Sequence, residues 1–227
     1  MESYVYNYLL YGIIIVIPLI AQIILSTMYR KYKSIDSNSK LSGFEVARKI
    51  LDANGLNNIY VVEVQGELTD HYDPTRKTVR LSTDIFHGNT IASTSVAAHE
   101  CGHAIQDKIG YMPMRLRSLI IPIVNIGSKL AWIVIVIGLF TQYFKIFLVG
   151  IGLISLSLVF QLITLPVEFD ASRRAKIELK KLGIVDNEES DGVAKMLYAA
   201  AFTYVAGVLT SILEILRLFL MFNNDRR

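Results

Sequence analysis

The chain has 227 residues, 52% of them hydrophobic and 19% charged, with a mean hydropathy of +0.42; these proportions exclude an ordinary water-soluble domain and point to a membrane. The net charge of +3 comes from basic residues beside the apolar runs, so it suits anionic lipid head groups and excludes nucleic acid as a partner. A single cysteine permits no internal disulfide, as expected of a reducing compartment.

Residues 9–28 carry no charge over about 20 positions, enough to cross about 30 Å of hydrocarbon. Glu2 precedes them in place of a basic leader, and Arg30, Lys31 and Lys33 follow in place of a cleavage site. The run therefore reads as an uncleaved anchor. Ser42 with Glu45 three residues on is a capping box, and Val46, Ile50 and Leu51 continue a helix that Gly55 stops. Residues 59–64 and 78–81 are β-branched runs, separated by a polar connection containing Gly66, Asp70, Asp73 and Pro74. They predict a small hairpin or sheet, its second strand being the candidate edge on which an extended substrate would pair.

His71, within that connection, has three readings. It is a candidate catalytic donor to the oxyanion of an amide hydrolysis, as Tyr72 is; a turn residue capping a carbonyl; or an extra metal ligand that would close the position water needs. His87, next to Gly88, reads as a surface loop residue.

Thr90, Ser93 and Thr94 are N-cap candidates for a helix that runs through Val96, Ala97, Ala98, Ala104 and Ile105 and stops near Gly110. It carries His99-Glu100-Cys101-Gly102-His103, the H-E-x-x-H pattern. At about 100° per residue the two histidines lie about 40° apart on one face, where both imidazoles can hold one metal ion. Glu100 beside them can take the proton of an attacking water and pass it to a leaving amine, while Cys101 faces away and Gly102 leaves room. Four His and ten Glu give about 0.003 such patterns by chance.

Two further apolar runs, residues 119–140 and 144–165, flank Thr141-Gln142-Tyr143 and read as a transmembrane hairpin. Lys129 and Asn125 in the first arm are costly at mid-bilayer and call for snorkelling or pairing. Catalytic zinc needs a third protein ligand and an open position. The candidates are Glu168 and Asp170, about 200° apart on a helix, so only one can face the metal. Glu168 shares its face with Ser172, a hydrogen-bond partner for the carboxylate; alternatively Glu168 pairs with Arg173 or Arg174. Asp191, among Asp186, Glu188 and Glu189, reads as part of a solvated polar loop. Residues 193–222 are long enough to span, yet hold Glu214 and Arg217 three apart as an ion pair; crossing the membrane and lying along it both remain open.

Basic clusters at Arg30 to Lys33, Arg115 with Arg117, and Arg173 to Lys176 put residues 30–118 and 166–192 on the cytoplasmic side of a multi-pass cell-membrane protein.

At these residues the chain resembles the YugP-like neutral zinc metallopeptidases of bacterial membranes. The likeness runs through residues 42–55, Leu68-Thr69-Asp70-His71-Tyr72-Asp73-Pro74, Val79-Arg80-Leu81-Ser82, residues 99–106 and residues 165–175. It is also distantly similar to the group containing the CAAX prenyl protease and the heat-shock membrane protease. There, H-E-x-x-H is followed after a transmembrane hairpin by an E-aromatic-x-A-D segment, matched here by Glu168-Phe169-Asp170-Ala171-Ser172 with Ser172 in place of the aspartate. The resemblance implies one zinc ion per chain held by His99, His103 and Glu168, with Glu100 as general base.

Together these features predict a mainly α integral membrane protein with a small β-sheet, its zincin-like H-E-x-x-H helix packed with a transmembrane bundle in a single domain over residues 1–227. Its parts would be an anchor (9–28), a cytoplasmic portion (30–118), a transmembrane hairpin (119–165), a third-ligand helix (166–192) and a C-terminal apolar helix (193–222). The predicted function is zinc-dependent endopeptidase action on a protein or peptide substrate at the bilayer. Another zinc amide hydrolase or a catalytically silent scaffold are the alternatives, whereas a transporter's distributed polar spans and internal repeat are missing.

Overall fold

The computed structural model describes the backbone of residues 2–224 and the side chains of residues 7–222. The elements are, in order, α1 (Glu2–Lys33), α2 (Gly43–Ala53), β1 (Tyr60–Val64), β2 (His71–Asp73), β3 (Thr78–Ser82), α3 (Thr83–His87), α4 (Ile91–Lys108), α5 (Met112–Phe140), α6 (Phe144–Lys181) and α7 (Asn187–Asn224). Helices α1, α5, α6 and α7 are each long and apolar enough to cross a membrane, so the C-terminal stretch meets the length and composition requirement.

Helix α2 starts where the capping box predicts. Ser42 Oγ accepts the Glu45 N–H at 3.2 Å, and Glu45 Oε2 accepts the Ser42 N–H at 2.7 Å. Its buried stripe is Val46, Ala47, Ile50 and Leu51, each large aliphatic member contributing about 1.5 to 3 kcal/mol by burial. Asn54 caps it, and Gly55 takes the positive φ of 64° that turns the chain away.

The sheet has the order β1-β3-β2, with β1 parallel and β2 antiparallel to β3. The sequence reading made residues 78–81 the edge strand; they are the central one, hydrogen-bonded on both sides. Strand β2 takes the edge, and at three residues, two of them polar, it is too short to show periodicity. Asp73 closes the β2 to β3 turn by accepting the N–H groups of Thr75 and Arg76, both at 3.0 Å.

Helix α6 also departs from expectation. Residues 166–192 do not form a separate helix, because α6 runs unbroken through Pro166 to Lys181 and turns at Gly183, φ 62°. A proline forfeits one backbone bond, which long apolar helices tolerate. The acidic stretch thought to be a loop instead opens α7: Asp186 Oδ1 accepts the Glu189 N–H at 2.9 Å, and Asp191 pairs with Lys195 one turn on.

Two compact units result. One comprises Met1–Gln22, Leu116–Leu165 and Thr203–Arg227, and the other Ile23–Arg115 and Pro166–Phe202. In the first, Ile135, Phe147, Ile151, Leu218 and Phe222 form a core in which the rings of Phe147 and Phe222 stack 4.5 Å apart. Ser128 meets Ser157 at 2.7 Å and Gln161 meets Ser211, polar pairs turned toward neighbouring helices. Glu214 and Arg217 form the anticipated ion pair at 3.1 Å, with the guanidinium over the Tyr11 ring; Lys129 lies exposed on α5. In the second unit, α2, β3, α3, α4 and the end of α6 enclose Val46, Ile50, Val79, Leu81, Ile85, Ala98, Cys101 and Leu179.

A candidate metal centre on helices α4 and α6

Helix α4 begins at Thr90, whose Oγ1 accepts the Ser93 N–H at 3.2 Å, and is left at Gly110, φ 65°. Against it lies α6, so close at Gly102 that an added Cβ would stand 2.5 Å from the Ala171 carbonyl oxygen. The room that Gly102 leaves is thus taken by the backbone of α6. That approach brings Glu168, 2% exposed, over the histidine face of α4.

Glu168 Oε2 is 3.3 Å from His99 Nε2 and 3.5 Å from His103 Nε2. The ligand atoms of these three residues all lie within 4.8 Å of one another. Charge-assisted N–H···O bonds settle at about 2.7 to 2.9 Å. Ligands at about 2.0 to 2.1 Å from a tetrahedral zinc stand about 3.3 to 3.4 Å apart. The two spacings from Glu168 fall near the tetrahedron edge, and the set of two imidazoles and one carboxylate is that of a catalytic zinc with one position open.

The other ring nitrogens are engaged. His103 Nδ1 is 3.1 Å from Gln106 Oε1, and His99 Nδ1 is 3.2 Å from Ser172 Oγ. The hydroxyl expected beside Glu168 therefore supports His99. Asp170 turns from the centre: Oδ1 accepts from Arg173 at 2.5 Å, and Oδ2 accepts from Arg174 at 2.6 Å and from Gln106 Nε2 at 3.0 Å. Both arginines weighed as partners of Glu168 thus pair with its neighbour.

Glu100, 7% exposed, lies against the backbone of Tyr72. Burial pushes its carboxyl up to about 7; His99 opposes the shift, and the charges of Glu168 and Asp70 add to it. Glu100 thus lies beside β2, a strand at the edge of the sheet. The Tyr72 side chain is buried and its hydroxyl donates to Asp107 of α4 at 2.7 Å, while Lys77 pairs with the same carboxylate. These contacts bind β2 to α4.

The structure does not bring His71 into this group. Side chains alternate along a strand, so His71 faces away from the side on which Tyr72 reaches α4. It is exposed, with Nδ1 2.8 Å from the Thr69 carbonyl oxygen. His87 ends α3, its Nε2 3.2 Å from Glu63 Oε2. Cys101 is buried on the far side of α4, where its thiol meets the Ala47 carbonyl.

Three contributors escape the motif. Gln106 was findable, since it lies three residues after His103 and seven after His99 on the same helical stripe. Tyr72 and Asp107 meet across 35 residues, and no local pattern marks that contact.

No solved structure matches the chain. "Putative membrane protease YugP" of Bacillus subtilis (strain 168) is 45% identical over 206 residues, covering 91% of this chain and 92% of that protein. The family described as "putative neutral zinc metallopeptidase" matches residues 7–223. With that family spanning nearly the whole length, and H-E-x-x-H joined in space to Glu168, the chain belongs to the putative neutral zinc metallopeptidases.

Proposed function

We propose that the protein is a zinc-dependent endopeptidase embedded in the cell membrane, acting as a single domain with its centre facing the cytoplasm. The observation that carries this reading is the His99, His103 and Glu168 triad, in which Glu168 stands from each imidazole at about the edge of a zinc tetrahedron, with the Glu100 carboxyl buried beside it. The three residues would hold one zinc ion, which supplies Lewis-acid polarisation of a water and of the scissile carbonyl.

The rest falls to the chain's own groups. Glu100 takes a proton from the attacking water on its carboxylate and delivers it to the nitrogen of the leaving amine. The outer edge of β2, in place of the β3 edge expected from sequence, offers an extended peptide backbone a line to pair on directly beside Glu100. This placement favours a peptide substrate over a small amide. Cytoplasmic orientation is supported by the basic ends of α1 and α6, Arg30 to Lys33 and Arg173 to Lys181.

The test is metal content and peptide-library digestion of the detergent-purified protein. About one zinc per chain, internal cleavage products, and a Glu100→Gln variant that keeps zinc while losing about 10² to 10⁴ in rate are expected. A folded protein without zinc, release of small amides alone, or undiminished turnover in the variant rejects the reading.

A further inference from the structure

We propose that Gln106 and Asp170 form a positioning relay that fixes the tautomer and direction of His103 and thereby sets how tightly the centre holds its metal; this rests on the zinc reading above. Gln106 is completely buried, so its amide must find partners inside the protein. Its Nε2 donates to the Val167 carbonyl at 2.8 Å and to Asp170 Oδ2 at 3.0 Å. Both are oxygens that only accept, so a flipped amide would set its own oxygen against two others. The amide is locked, Oε1 faces His103 Nδ1, and Nδ1 must carry the hydrogen. In the ring form that binds a metal ion, the lone pair of His103 is then on Nε2, the atom 3.5 Å from Glu168 Oε2.

Asp170 is held in place by its ion pairs with Arg173 and Arg174. Val167 and Asp170 flank Glu168 on α6, so one turn of that helix supplies the carboxylate ligand and also orients an imidazole ligand of α4. His99 is held differently. Its Nδ1 faces the Ser172 hydroxyl, which rotates and can donate or accept, so no tautomer is imposed there.

The experiment measures zinc affinity by chelator competition on the full chain in detergent, with ¹⁵N-histidine NMR of the zinc-loaded protein. Gln106→Met keeps the volume and removes every bond of the relay. It should weaken zinc by about 10- to 100-fold and abolish the exchange-protected His103 Nδ1–H signal. Asp170→Asn still offers an oxygen to Gln106 and should stay within about threefold of wild type, whereas Asp170→Ala should fall below that range. Asp170→Ala also serves if Gln106→Met does not fold. Wild-type zinc affinity and an intact Nδ1–H signal in Gln106→Met would overturn the relay, as would Asp170→Ala equal to wild type. A wild type that binds no zinc would overturn the centre itself, a different failure.

Discussion

Glu168→Ala is the most decisive perturbation of the centre. Zinc bound by four protein ligands is worth about 10 to 16 kcal/mol, or about 3 kcal/mol per ligand, so removing one of three should weaken zinc by about 10²-fold or more. The position makes that loss specific. Glu168 is 2% exposed and its Oε2 stands 3.3 and 3.5 Å from the two imidazoles, and among the described residues no other acid joins the group. Asp170, two residues on, faces Gln106 and the arginines, and Asp170→Ala should cost no more than about tenfold. Chelator competition gives both constants directly. A second reading comes from thermal unfolding: zinc at 100 times its dissociation constant should stabilise the wild type by about 2.7 kcal/mol and leave Glu168→Ala nearly unmoved at the same concentration. Equal zinc retention in Glu168→Ala and Asp170→Ala would refute the assignment of Glu168 as a ligand.

Glu100 gives a pH test. Its folded carboxyl titrates near 7 against 4.5 unfolded, so the metal-free folded state holds a proton that the unfolded chain has released, and stability falls as pH rises between those values. The share is about 3 kcal/mol, and chelated Glu100→Gln should lack that slope in unfolding measured from pH 4.5 to 7; an unchanged slope contradicts the burial argument. His71→Ala should keep zinc and stay within about twofold of the wild-type kcat, as a surface change of about 0.5 kcal/mol allows. A drop of about 10² at full zinc would return His71 to the oxyanion role. With Cys101 replaced, single cysteines at Lys33, Arg115 and Lys180 should be shielded from an impermeant thiol reagent in intact cells and one at Gln142 should react; labelling at Lys180 without lysis would contradict the proposed orientation.

What the sequence determines by itself is what local periodicity and residue chemistry encode. The apolar runs, the capping box at Ser42 and Glu45, the turn at 141–143 and the i, i+4 histidines of α4 each depend on neighbours within a turn or a span, and each is found where it was read. Glu168 was one of two candidates, about 200° apart from Asp170, and the resemblance to the zinc metallopeptidases singled it out. Tertiary structure decides the rest, because it depends on partners far apart in the chain. Strand β2 exists because β3 and Asp107 hold it, and so the edge of the sheet on that side is β2 and not β3. Ser172 serves His99 because Gly102 lets α6 sit close against α4. Gln106 owes its orientation to acceptors more than 60 residues away. The proton affinity of Glu100 is likewise a property of the folded interior: in the unfolded chain it is an ordinary acid, and burial pushes its carboxyl up to about 7.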